Sequence, residues 1–227
     1  MLSHDPGNPT KGGTESAESY YMHPRQERLA TWTHGLGVVL GVGLSVYFWS
    51  GSWQPFDLQV AVRVFAAAVI LLYFCSAASH AVWEPRSRNW WRAADQAAIY
   101  VLIVATYTPF VCLAFEGPTQ TVFLAVLWGL AAAGAVSKLW LKHRINAIST
   151  VSYLMLGWLP ALGLIPYSSW LSCVGMAIGG LLYTAGIPFL MLSSRHWHAH
   201  TIWHLMVLAG TSAHAATIVL VLRAQTG

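Results

Sequence analysis

Seven runs of apolar residues, near 31–50, 59–81, 94–115, 119–140, 147–164, 168–191 and 199–222, set the terms on which this chain can fold. Most approach the roughly 20 residues that a helix needs to cross the hydrocarbon of a bilayer. The fifth is the shortest. Backbone N–H and C=O groups in lipid must be satisfied within their own segment or in a closed barrel, and runs this long and continuous are not barrel strands. The expected fold is therefore all-α, an integral membrane bundle of seven transmembrane helices. Composition agrees, since 56% of residues are hydrophobic and only 9% charged, well away from an ordinary soluble domain. The net charge of +4 comes from Lys and Arg scattered in short clusters rather than in a stripe, so a nucleic-acid partner is excluded.

Those clusters instead set an orientation. Lys11, Arg25 and Arg28 precede the first run; Arg86, Arg88 and Arg92 lie between the second and third; Lys142 and Arg144 between the fourth and fifth, with Lys138 just inside the fourth; and Arg195 before the seventh. The opposite loops hold Asp57 and Glu116 and almost no positive charge. The positive-inside bias then predicts a cytoplasmic N-terminus and, after an odd number of spans, a C-terminus on the far side. Trp53, Trp83, Trp90, Trp91, Trp140, Trp170 and Trp197 fall near the ends of the runs, as an interfacial aromatic belt requires. Residues 1–23, rich in Gly, Pro, Ser and Glu in their first twenty positions, are expected to be a flexible tail, with residues 24–227 forming the membrane domain. No basic-then-apolar signal pattern with a cleavage site is present, so the N-terminus is expected to be retained. Cys75, Cys112 and Cys173 lie inside apolar runs without CxxC spacing, and indicate neither a disulfide framework nor a thiolate metal site.

The chemistry shows when the intramembrane polar residues are sorted by depth. The second run ends toward the cytoplasm in CSAASHAVW, with Ser76 and His80 four apart on one helix face; the third begins there in RAADQAAIY, with Asp95 in its first turn; the seventh begins there in HTIWH. The i,i+4 spacing stacks His200 and His204 about 5–6 Å apart at Cβ. Imidazoles are costly to bury in hydrocarbon without partners, and a shared metal removes that cost. His80, His200 and His204 are thus expected to bind one zinc ion, with Asp95 holding a water in the fourth position. Copper and iron are alternatives without a supporting Met, Cys or facial-triad pattern. A lone HxxxH is otherwise as consistent with a capping or packing histidine, and Ser76 with a small residue at a helix contact.

The other histidines divide. His214 is ten residues beyond His204, about 15 Å along the helix, and is expected to be an interior residue with a partner of its own. His196, His198, His143 and His23 lie in exposed segments. His34, in THGLG at the start of the first run and two turns after Glu27, is expected to hydrogen-bond Asp95 from outside the ligand set, ligation being the alternative. Pro109 should kink the third helix, while Gly179, Gly180 and Gly186 permit close helix approach in the sixth. Arg63 can snorkel at the outer end, and Glu84 and Arg88 are expected to be solvated or paired.

ERLATWTHGLG at 27–37, SAASHAVW at 76–83, DQAAIYVLIVATYTPF at 95–110, GW at 157–158, GGLLYTAG at 179–186 and HTIWHLMVLAGTSAH at 200–214 together make a pattern. It resembles the hemolysin III family, within the progestin and adipoQ receptor superfamily that includes the adiponectin receptors, over residues 24–222. The resemblance implies seven helices, a cytoplasmic N-terminus, residence in the bacterial inner (cell) membrane, and zinc held near the cytoplasmic surface by His80, His200 and His204, with Asp95 reaching it through water and Ser76 nearby. Two positions depart from the family pattern: Thr31 stands where Asn is common, and Gln96 where a His follows the aspartate. Both bear on the surroundings of the ligands rather than on the ligands themselves.

An open zinc position facing a cavity would acidify a water and polarise a carbonyl, the requirement for amide hydrolysis. The superfamily resembles the alkaline ceramidases in this constellation, so the first expectation is a zinc-dependent hydrolase of ceramide-like lipid amides. Asp95 would act as base and Ser76 as a hydrogen-bonding partner of the water or oxyanion. Membrane lipids, a ceramide-like substrate or a bound fatty acid are the partners implied. The alternatives are a non-enzymatic receptor or regulator with structural zinc, and a cytolytic pore-former; the chain carries no amphipathic insertion segment to favour the last.

Overall fold

The computed structural model describes residues 24–53, 55–141, 147–193 and 196–226. The tail expected at 1–23, with Lys11 and His23, lies outside the described residues, as do Lys142, His143, Arg144 and Arg195. Seven long helices follow one another: α1 (Pro24–Ser50), α2 (Phe56–Ala81), α3 (Pro85–Ala114), α4 (Gly117–Leu141), α5 (Ala147–Leu164), α6 (Trp170–Leu192) and α7 (Trp197–Thr226), with a 3₁₀ turn at Ile165–Tyr167 between α5 and α6. No strand occurs among the described residues. All seven helices are long and apolar enough to cross a membrane, and the chain is an integral, multi-pass membrane protein.

Two helices, α1 and α3, start well before their apolar runs, because hydropathy marks only the hydrocarbon-facing stretch while helix geometry is stopped by caps. In α3 the stop is Glu84, whose carboxylate accepts from the backbone N–H groups of Arg86, at 2.9 Å, and Ser87, at 2.6 Å. Pro85 at the first helical position loses no hydrogen bond there. The Glu84 carboxyl is held below its ordinary range, chiefly by its hydrogen bonds with Ser87. Polar first turns of α1 and α3 therefore project past the apolar segments and can meet.

α1 packs along α2, α2 along α3, α3 along α4 and α6 along α7; α7 closes back on α1, and α5 leans on α3. The core lies along α2 and α3, where Phe65, Val69, Tyr73, Val104 and Phe110 are enclosed. Outward faces are apolar too, with Leu36, Val39 and Val46 of α1 exposed, as a lipid-facing surface requires. Inside, hydroxyls pair with one another: Thr211 bonds Tyr73 at 2.8 Å and Tyr183 at 2.7 Å, tying α7 to α2 and α6. Glycine allows the closest approaches. A Cβ on Gly186 would lie 2.8 Å from the Trp203 ring, and one on Gly179 would overlap His214.

One proline and one tryptophan bear on what the sequence leads one to expect. α3 runs helical through Pro109 to Ala114. Around this proline, Thr106 and Thr108 donate to the Leu102 and Val104 carbonyls at 2.8 Å each. Among the belt tryptophans, Trp170 is 82% exposed, but Trp53 is 8% exposed. Its ring packs 5.4 Å from Tyr47 and 6.4 Å from Phe48, plugging the bundle end instead of sitting among headgroups.

Candidate metal centre

The ends of the helices joined by the basic loops bring the polar residues together. Ser76 and His80 share a face of the last turns of α2, Asp95 sits ten residues into α3, and His200 and His204 stack one turn apart on α7. The rings of His200 and His204 are 4.3 Å apart, and His80 lies 5.3 Å from the first and 5.2 Å from the second. α1 adds a fourth imidazole: His34 is 4.0 Å from His204 and stacked on His80 at 5.6 Å. One nitrogen each from His34, His80 and His204 fall within 4.8 Å of one another. His34 therefore joins the ring of histidines itself. It makes no hydrogen bond to Asp95, whose side-chain bond comes from the Ser76 hydroxyl.

Hydrogen bonds on the outer side orient two of these rings. His204 Nδ1 lies 3.4 Å from Thr33 Oγ1, a hydroxyl that donates to the Ala30 carbonyl at 2.9 Å. His80 Nδ1 lies 2.7 Å from a carboxylate oxygen of Glu27, and the other oxygen of Glu27 is paired with Arg88. Glu27 and Arg88 are both buried. Sequence reasoning placed Glu27 only as a neighbour of His34 and expected Arg88 in a loop. The seven-residue spacing of Glu27 and His34, which puts them on one face of a helix, was the available signal.

His34, Ser76, His80, Asp95, His200 and His204 line one end of a cavity of about 190 Å³. From there it runs between α3, α5, α6 and α7 past Leu102, Ile103, Leu154 and Ile187 to Tyr183 and His214. Its walls are mostly apolar. Tyr107 of α3 donates to the Gly157 carbonyl of α5, and Trp158 Nε1 donates to Thr184 of α6 at 3.1 Å, so α5 is fastened on both sides. His214 stacks on Tyr183 at 5.8 Å, apart from the histidine ring, and its Nδ1 has no hydrogen-bond partner. His196 and His198 are exposed. Arg63 lies over the Trp49 ring at 4.7 Å, its charge held against an aromatic face.

Comparison with known proteins places this arrangement. The family described as "Haemolysin-III related" matches residues 22–215. The chain belongs to that family. Its similarity to the hemolysin-3 homolog of Bacillus subtilis (strain 168) is 34% identity over 187 residues, 80% of this chain and 87% of the relative. Against hemolysin-3 of Bacillus cereus it is 30% over 204 residues, 88% and 93%. Against the human monocyte to macrophage differentiation factor it is 24% over 188 residues, 83% and 68%. The seven spans and the bacterial members of the Haemolysin-III related family together support the bacterial inner membrane as its location.

Whether the Haemolysin-III related protein's histidine ring suits a metal can be judged from its unpaired atoms. Both ring nitrogens of His200 and Nδ1 of His34 are buried without a hydrogen-bond partner. Such orphans are costly in an apolar interior. An ion at the centre of the ring would take one nitrogen from each imidazole it binds, so it would satisfy one of the two orphans of His200, and an imidazole donor set fits zinc or a neighbouring divalent transition metal. The residues present could hold a metal.

Proposed function

We propose that this protein is a zinc-dependent hydrolase of ceramide-like lipid amides, working at the cytoplasmic face of the membrane with its N-terminus on that side. The observation that supports this reading is the placing of the Ser76–Asp95 pair at the same end of the apolar cavity as the histidine ring. His80, His200 and His204 would hold the ion. When bound, zinc supplies Lewis acidity, which polarises a carbonyl and makes a nearby water more acidic. Asp95 is then the base that orients the attacking water and takes its proton. The Ser76 hydrogen is given to Asp95, so Ser76 fixes the carboxylate and meets water as an acceptor. The apolar wall holds an acyl chain and excludes bulk water, which strengthens each polar contact at the reacting end.

A second reading is favoured by His34. Four imidazoles at these separations could fill four positions, leaving none for water, and zinc would then be structural in a receptor or regulator. The two separate on turnover. Purified protein loaded with zinc in lipid nanodiscs is expected to hydrolyse members of a panel of long-chain ceramides and other lipid amides, and its Asp95→Asn variant is expected to retain zinc with strongly reduced turnover. Absence of hydrolysis with stoichiometric zinc bound would reject the enzyme reading.

A further inference from the structure

The buried contacts outside the histidine ring assign a role to a carboxylate that the proposed chemistry does not use. We infer that Glu27, held by Arg88, is the positioning residue that fixes which nitrogen of His80 faces the ring; the inference rests on the metal reading above.

Glu27 and Arg88 are each 1% exposed and His80 is 7% exposed. An ionised carboxylate only accepts hydrogen bonds, so the 2.7 Å contact between Glu27 Oε2 and His80 Nδ1 requires the proton on Nδ1. That leaves the Nε2 lone pair of His80 as its only free donor to a metal. The other carboxylate oxygen accepts from Arg88 Nη2, so the carboxylate cannot swing away without breaking a buried ion pair. His34, two turns along α1 from Glu27, lies against the face of the same imidazole with the two rings inclined by 12°. α1 thus holds His80 by its edge through Glu27 and by its face through His34, and α3 supplies the counter-charge. A carboxylate behind a ligand imidazole fixes the tautomer and makes the ligand more basic. No comparable carboxylate contacts His34, His200 or His204 among the described residues, so His80 would be the ligand set most firmly before any ion arrives.

The test uses the full-length protein in nanodiscs, titrated with zinc against a competing chelator, and ¹⁵N spectra of histidine-labelled protein with His80 assigned by comparison with His80→Gln. In the wild type the His80 signals are expected to show Nδ1 protonated. Glu27→Gln is expected to weaken zinc binding about 10–100-fold. Because that variant breaks the buried ion pair with Arg88 and can fail to fold, the paired variant Glu27→Gln/Arg88→Met removes both charges together; it is expected to fold and to bind zinc as weakly as Glu27→Gln. Wild-type affinity in the folded paired variant, or a His80 protonated at Nε2, would overturn the positioning role while leaving the metal site standing. Failure of the wild type to take up zinc would instead refute the metal reading and this inference with it.

Discussion

His200 and His34 compete for the third position beside His80 and His204, and their removal should not weaken zinc binding equally. Both ring nitrogens of His200 are enclosed without a partner, against one nitrogen of His34. His200 therefore has ring contacts but no hydrogen bond to offset the burial of its nitrogens, and is expected to ligate. Structural zinc sites with four ligands bind with about 10–16 kcal/mol at neutral pH, or roughly 2.5–4 kcal/mol per ligand. His200→Ala should then weaken zinc binding about 10²–10³-fold. His34, packed 4.0 Å from the His204 ring, would act by bracing it, and His34→Ala should cost about 10–100-fold, the range for groups behind a ligand. Chelator competition on the purified variants, with circular dichroism to confirm helix content, measures both. A large loss for His34→Ala with less than about tenfold for His200→Ala would refute the reasoning and make His34, His80 and His204 the ligands. Equal losses on the ligand scale would mean a closed site of four imidazoles, and the hydrolase reading would lose its open position.

Further outcomes follow from the same geometry. Asp95→Asn should lower lipid-amide hydrolysis about 10²–10⁴-fold, the range for a general base, with Ser76→Ala losing less, and with zinc content unchanged in both by elemental analysis. Gly179→Leu drives a side chain into the His214 ring and should destabilise the α6–α7 contact by about 1–3 kcal/mol, read as a lowered unfolding midpoint in detergent; an unchanged midpoint would contradict the close packing. The Glu84 carboxyl, held below its ordinary range by its Ser87 contacts, stabilises the start of α3 at neutral pH and loses that contribution as pH falls through the folded-state value. The protection of the Arg86 and Ser87 amides, relative to their intrinsic exchange rate at each pH, should accordingly fall in acid, and Glu84→Gln should flatten the dependence. In a Cys173→Ser background, where the remaining Cys75 and Cys112 are buried, an impermeant maleimide added to intact cells should label Glu116→Cys and not Asn89→Cys; the reverse pattern would overturn the proposed orientation.

The membrane fold was legible because its cause is a simple one. Backbone satisfaction in lipid demands helices about 20 residues long, and no competing arrangement of seven such runs exists. What hydropathy could not show is where the helices stop. Each apolar window ends at the hydrocarbon boundary, whereas α3 begins at Pro85 behind a carboxylate cap and α1 begins at Pro24. The turns between those two limits carry Glu27 and Arg88, and hydropathy places Arg88 in a loop. Trp53 misled for a related reason: a tryptophan near a helix end is interfacial only if its ring faces outward, and facing is set by packing against Tyr47 and Phe48.

Depth and facing carry different information about a buried site. Depth follows from counting along a helix, which brings Ser76, His80, Asp95, His200 and His204 to one level from the sequence alone. Facing depends on how each helix rotates against its neighbours, and no periodicity records that when the outward surface is as apolar as the core. His34 shows the difference: its level was readable, but its place against His80 and His204 follows from α1 packing between α2 and α7. A polar residue on a membrane helix therefore gains its meaning from the second polar residue it is turned toward. Glu27 shows this too, since seven residues before His34 it is an isolated acid in the sequence and becomes a brace for the ring only once α2 delivers His80 alongside it.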